Sequence, residues 1–243
     1  MSSLEAVFSE SVQSFLDTLE PHRHPFLDSF RAEAEQNGVP VLSRDAERLL
    51  VFLTDLIRPV RILEIGTAVG YSASVMALHA PRDCVLDTIE DYPSRILAAR
   101  ETLKRLSLLE DPALSSLPGR IVLHEGDASD ILPLLSGPYD LIFMDAAKGQ
   151  YIRWLPEVLR LMSDRGVLVS DDVLQDGDVL KPRQEVRRRD RTIHKRMTEY
   201  LKALMQTETL SSVVLNIGDG VALTVKKKPQ ASMDQDVRDP QDA

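Results

Sequence analysis

Val60-Arg61-Ile62-Leu63-Glu64-Ile65-Gly66-Thr67-Ala68-Val69-Gly70-Tyr71-Ser72 is the stretch that decides the fold. The apolar run Val60–Leu63 reads as a buried parallel strand. Residues 64–70 read as a tight turn with glycine at 66 and 70. A helix starts near Tyr71-Ser72 and continues through Ser74, Val75, Met76 and Leu78. Strand, glycine turn and helix in that order open a doubly wound α/β sheet with a ligand at its carboxyl edge.

The residue types in the turn constrain that ligand. Glycine permits positive φ and close backbone approach, and the N–H groups that begin the helix favour an anion. Glu64 puts a carboxylate at the same end, where it would repel a pyrophosphate. A ligand carrying both an ammonium and a carboxylate suits both features, as the methionine end of S-adenosylmethionine does. The middle glycine of G-x-G-x-x-G and the lysine of a P-loop are missing. A nicotinamide-dependent oxidoreductase is therefore the disfavoured alternative.

The 243 residues suffice for one large domain, and 43% hydrophobic with 28% charged residues is ordinary for a globular chain. No apolar run approaches the roughly 20 residues of a membrane span. The N-terminal MSSLEAVFSESVQSF lacks a signal-peptide pattern. Cys84 is the single cysteine, in an apolar run, which reads as a buried thiol. A cytoplasmic setting with no membrane partner is the expectation. The net charge of −9 argues against bulk nucleic-acid binding. Yet residues 181–202 hold nine Lys/Arg against three acids, a local excess of six positive charges.

Outward from the opening unit, residues 4–57 read as three helical pieces, the later two spanning about Phe26–Gln36 and Arg44–Ile57, with Ser43 as an N-cap. Strands are expected at Val85–Ile89, Ile121–His124, Tyr139–Met144 and Val167–Ser170, alternating with helices. A long helix is expected from Gln184 to Met205. Val213–Ile217 and Val221–Val225, joined by Gly218-Asp219-Gly220, must be antiparallel neighbours. The domain is 1–228, with a helical layer over 1–58 and the Rossmann-like core over 59–228. The polar, acidic stretch 229–243 is expected to be disordered.

With LEIGTAVGYS (63–72), Glu90, GDA (126–128), FMDAAKGQY (143–151), VSDDV (169–173) and NIGDGVALTVKK (216–227), the chain resembles class I S-adenosylmethionine-dependent methyltransferases. More narrowly, it is similar to the metal-dependent catechol and caffeoyl-CoA O-methyltransferases. That resemblance implies a seven-stranded, mostly parallel sheet ending in an antiparallel hairpin. It implies cofactor contacts from Glu64, Gly66, Thr67, Ala68, Gly70, Tyr71, Ser72 and Asp145, with Gly126, Asp127 and Ala128 beside the adenine. It makes Lys148 the proton acceptor and implies a homodimer. The segments RRRDRTIHKRMTEYL (187–201) and IGDGVALTV (217–225) are similar to bacterial members that methylate 5-hydroxyuridine at the tRNA wobble position.

Several readings rest on the residues themselves. Glu90 lies 24 residues after Gly66, where doubly wound folds place an acid for ribose hydroxyls. Asp145, Asp171 and Asp172 fall at neighbouring strand ends, and such oxygen donors suit Mg²⁺ or another divalent cation. The related family has Asp-Asn where this chain has Asp171-Asp172. A cation there would lower the pKa of Lys148, suiting it as a general base. On one helix, Arg187, Arg191 and Lys195 would form a stripe that tracks phosphates, with Arg188 beside it. The expected reaction is methylation of tRNA 5-hydroxyuridine, or else of a small catechol or phenolic substrate. A catalytically idle RNA-binding or scaffolding dimer is the alternative from another class.

Overall fold

Residues along β1 (Arg61–Ile65) alternate between two cores, as the pleat requires. Ile62 joins one cluster with Phe30, Leu50, Met76 and Phe143. Leu63 and Ile65 join the other with Ile142, Tyr151, Trp154 and Tyr200. In this computed structural model, the described residues are 11, 12, 14–19, 24–109 and 120–227. The expectations for residues 1–10, most of the 107–119 loop and the 229–243 tail lie outside them.

A single seven-stranded sheet runs β3-β2-β1-β4-β5-β7-β6. Its strands after β1 are β2 (Val85–Glu90), β3 (Ile121–Glu125), β4 (Tyr139–Met144), β5 (Met162–Ser170), β6 (Leu210–Leu215) and β7 (Val221–Lys226). The first five pair in parallel, and β7 lies antiparallel to both β5 and β6. The order reverses between β1 and β4, so a crevice opens there at the carboxyl ends.

Helices α1 (Pro25–Gln36) and α2 (Arg44–Ile57) precede the sheet. They pack on α3 (Tyr71–His79) as a side layer continuous with the core. Ser43 caps α2, its hydroxyl accepting from Ala46 N at 3.3 Å. Buried Arg31 of α1 reaches Glu47 of α2 at 2.5 Å, and the Tyr71 hydroxyl donates to the same carboxylate at 2.9 Å. The remaining helices are α4 (Pro93–Ser107), α5 (Ala128–Ile131), α6 (Tyr151–Leu161) and α7 (Arg191–Gln206). Among the described residues no helix is long and apolar enough to cross a membrane.

Several expectations need correction, among them β6, which begins three residues before the expected Val213 and ends at Leu215. First, β1 extends through Glu64 and Ile65, so Glu64 belongs to the pleat rather than the turn. Second, β5 begins five residues early, at Met162, because Met162 pairs with Tyr139 across a register shift. Third, the expected 184–205 helix starts only at Arg191. The residues before it turn back on themselves and bury Val186. Arg191 ties that turn down by donating to the carbonyls of Val186 (3.0 Å) and Gln184 (2.9 Å). Arg187, Arg191 and Lys195 therefore share no helical face.

Candidate active site

Ladder hydrogen bonds continue past the strand ends and set the floor of the crevice. Asp145 N donates to Ile65 O (3.0 Å), Asp171 N to Met144 O (3.0 Å) and Gly126 N to Glu90 O (2.9 Å). Gly66 is needed for this lacing: with φ +102, a Cβ there would stand 2.1 Å from the Asp145 carbonyl oxygen. The close approach expected at that glycine is made by the neighbouring strand's backbone.

Above this floor lies a cavity of about 510 Å³, walled by Gly66, Ala68, Glu90, Gly126, Asp127, Ala128, Asp145 and Lys148. Glu90 is fixed by backbone donors: Ala68 N at 2.7 Å on one oxygen, and Asp91 N (3.2 Å) and Tyr92 N (3.0 Å) on the other. Glu90 lines the cavity, and a carboxylate so held has lone pairs left for hydroxyl donors. Asp127 accepts from Ser129 N at 2.7 Å as the α5 N-cap and also lines the cavity. Trp154 forms part of the wall, its indole N–H donating to Ser129 Oγ at 3.0 Å. Tyr92 and Arg95 stand at the rim. Sequence reasoning missed both, because they sit in an unremarkable helix start.

Glu64, Thr67, Gly70, Tyr71 and Ser72 do not line this cavity. Glu64 is 0% exposed and lies under the first turn of α3. It accepts from Ser72 Oγ and Thr88 Oγ1, each at 2.5 Å. Burial pushes its carboxyl up to about 7 against those two hydroxyls, and Asp145 and Glu90 push the same way. Tyr71 points into the helical layer, edge-on to Phe30.

The far wall of the cavity is Lys148. Its ammonium donates to Asp145 Oδ1 (2.6 Å), Tyr151 Oη (3.2 Å) and the Asp171 carbonyl (3.3 Å), and pairs with Asp172 Oδ2 (3.3 Å). Burial acts to lower the lysine's pKa, but Tyr151, Asp145 and Asp172 outweigh it and the pKa is raised. With no cation beside these acids, Lys148 is an ammonium ion. Beyond it a second cleft of about 550 Å³ opens, lined by Asp172, Asp176, Asp178, Lys181, Glu185, Arg187, Arg189, Asp190, His194 and Asp219. The two cavities meet at Lys148.

The acids beside Lys148 are of the right chemistry for a divalent cation. Asp171 is buried, its Oδ1 has no partner among the described residues, and burial with Asp145 and Asp172 raises it to about 7. That is a carboxylate set short of positive charge. Among the described residues no three His, Cys, Asp or Glu side chains already converge as a cation site. The Lys148 ammonium lies among the acids instead.

Of the basic run, Arg187 and Arg189 line the second cleft, Arg188 and Lys195 are exposed, and Arg191 is turned inward. Two histidines are tied into the fold by hydrogen bonds. His124 Nε2 meets Asp87 Oδ1 at 2.7 Å, and His194 Nε2 donates to the Lys181 carbonyl at 3.1 Å.

The profile of a family described as O-methyltransferase matches residues 19–227. A catechol O-methyltransferase of Niastella koreensis is 31% identical over 177 residues, covering 70% of this chain and 76% of that protein. The SAH-bound crystal structure of Podospora anserina methyltransferase PaMTH1 superposes with a TM-score of 0.77 at 25% identity, covering 91% of this chain and 96% of the other. The O-methyltransferase TomG of Streptomyces achromogenes, in complex with SAM, gives 0.75 at 25% identity, over 90% and 96%.

Proposed function

The chain belongs to the O-methyltransferase family and is an S-adenosylmethionine-dependent O-methyltransferase, and from that premise we propose that its acceptor is a small catechol-like phenol with two adjacent oxygens. The observation that carries this reading is Lys148, the wall common to a nucleoside-sized cavity and a polar cleft. A donor lying along Glu90 and Asp127 brings its methyl group toward Lys148. The acceptor enters from the other side.

Glu90 holds the ribose hydroxyls, and Gly126-Asp127-Ala128 with Trp154 borders the adenine. The Lys148 ammonium orients the acceptor hydroxyl; with a cation offsetting the carboxylates, Lys148 would be the neutral amine that takes the hydroxyl proton while the methyl group passes from the donor sulfur to that oxygen. Asp145 and Asp172 hold that ammonium in place, and Tyr151 Oη fixes its rotamer. Asp145, Asp171 and Asp172 are the residues that would hold Mg²⁺ or a similar cation. When bound, such a cation supplies Lewis acidity to two adjacent oxygens and offsets the carboxylate charge that keeps Lys148 protonated.

A second reading, the wobble 5-hydroxyuridine of tRNA, is supported by Arg187 and Arg189 on the cleft and exposed Arg188. Its O4 and O5 are also adjacent. It ranks second because acids outnumber bases along the cleft, and because the expected basic stripe does not exist. The proposal includes a homodimer in the cytoplasm; Phe52 (60% exposed) and Leu56 (67%) lie one turn apart on α2 and support an apolar contact there.

The test is methyl transfer from labelled S-adenosylmethionine to 3,4-dihydroxybenzoate and, separately, to wobble-hydroxylated tRNA. The proposal expects turnover of the phenol that is unchanged in an Arg187→Ala/Arg188→Ala double variant. Turnover of tRNA alone, lost in that variant, would install the second reading.

A further inference from the structure

The loop after β5 is strained. Asp172 (φ 54°), Gln175 (φ 53°) and Asp176 (φ 51°) all occupy the left-handed region, and none is glycine. L-residues avoid that region, so three in five positions persist only where surrounding structure imposes them. The loop also carries Asp171 and Asp172, the acids beside Lys148.

What imposes the strain is the turn between β6 and β7. Val173 N donates to the Gly220 carbonyl and Leu174 N to the Asp219 carbonyl, both at 2.9 Å. Asp176 N then donates to both oxygens of the Asp219 carboxylate, at 2.7 and 2.8 Å. Gly220 permits this closeness, since a Cβ there would stand 2.3 Å from Leu174 Cγ. Of these holds, only the one to Asp176 comes from a side chain, and it is charge-assisted.

We propose that Asp219 is a positioning residue for methyl transfer, its carboxylate holding the 172–176 loop in its left-handed form so that Asp172 stays paired with Lys148. Asp219 acts through the Asp176 N–H. The inference rests on the reading that the acceptor reacts beside Lys148. A side-chain amide oxygen accepts the same N–H, whereas a methyl group cannot.

The experiment compares the full chain with Asp219→Ala and Asp219→Asn. Amide hydrogen exchange is followed by mass spectrometry, and methyl transfer is measured with 3,4-dihydroxybenzoate as probe. In Asp219→Ala, exchange in 172–177 should rise about tenfold while residues 61–72 keep wild-type protection, and kcat should fall about tenfold or more. The KM for S-adenosylmethionine should stay within about twofold. Asp219→Asn should restore both exchange and kcat. The inference is overturned by wild-type exchange across 172–177 in Asp219→Ala, or by Asp219→Asn being as impaired as Asp219→Ala. If the unmodified protein leaves the probe untouched, the acceptor reading fails alone, and the exchange data still decide the role of Asp219.

Discussion

The Lys148 ammonium stands 2.6 Å from Asp145 Oδ1, and Lys148 lines both cavities of the crevice. Asp145 directly follows β4, and Lys148 comes three residues later in a short 3₁₀ turn. Strand end and turn together thus place a cation where a hydroxyl must lose its proton.

Lys148→Met keeps the length of the side chain and removes the charge. Turnover should fall by about 10²–10⁴-fold, the range for a group that handles the reacting proton or its charge. Calorimetric affinity for S-adenosylmethionine should remain within a few-fold. Comparable loss of donor affinity would make Lys148 a binding residue only.

Glu90→Ala removes the acceptor at the cavity wall and frees Ala68 N, Asp91 N and Tyr92 N. Donor affinity should drop by roughly tenfold or more, as for loss of a charge-assisted hydrogen bond. Equilibrium titration with S-adenosylmethionine measures it; unchanged affinity would remove Glu90 from the donor site.

Glu64 gives a pH signature. Its folded pKa, about 7, lies above the ordinary 4.5 because burial disfavours the charge. The folded protein therefore holds this proton more tightly than the unfolded chain. The stability it contributes is fully present below about 4.5 and is lost as pH rises through about 7. Relative to Glu64→Gln, the wild type should lose stability between those values, on the order of a few kcal/mol, and the gap should then level off. Urea unfolding at several pH values follows it. A gap that stays constant would contradict the burial argument.

Asp171→Asn tests the acidic set. The substitution keeps the shape and removes a buried charge whose Oδ1 has no partner among the described residues. Activity after chelator treatment should be negligible in the wild type and return with Mg²⁺. The variant should need several-fold more Mg²⁺ and show weaker calorimetric Mg²⁺ binding. Full activity of the chelated wild type would show that Lys148 alone supplies the positive charge.

Much of this was legible from residue order. Alternating apolar strands and helices give the sheet, and Gly218-Asp219-Gly220 gives the closing hairpin, because so short a link can join only antiparallel strands. The place of Glu90 at the end of β2 was readable from its spacing after Gly66. Glu64 lies near the carboxyl end of β1 as read, but its contacts to Ser72 and Thr88, which bury it under α3, were not legible because they depend on how helix and strand pack. The 184–190 segment was misread because its residue types allow a helix, while the buried Val186 and the inward Arg191 favour a folded turn. The protonation of Lys148 depends on Asp172 and Tyr151, whose approach only tertiary structure sets. Asp219 carries no sequence signal beyond a turn residue, since its partner is a backbone N–H 43 positions away.

The most direct test of the account is mass spectrometry of 3,4-dihydroxybenzoate and of its monohydroxy counterpart after incubation with trideuteromethyl-labelled S-adenosylmethionine. The account predicts one labelled methyl on an oxygen of the vicinal diol, and none on the monophenol or with Lys148→Met. Equal labelling of both phenols, or label transfer that survives loss of Lys148, would contradict it.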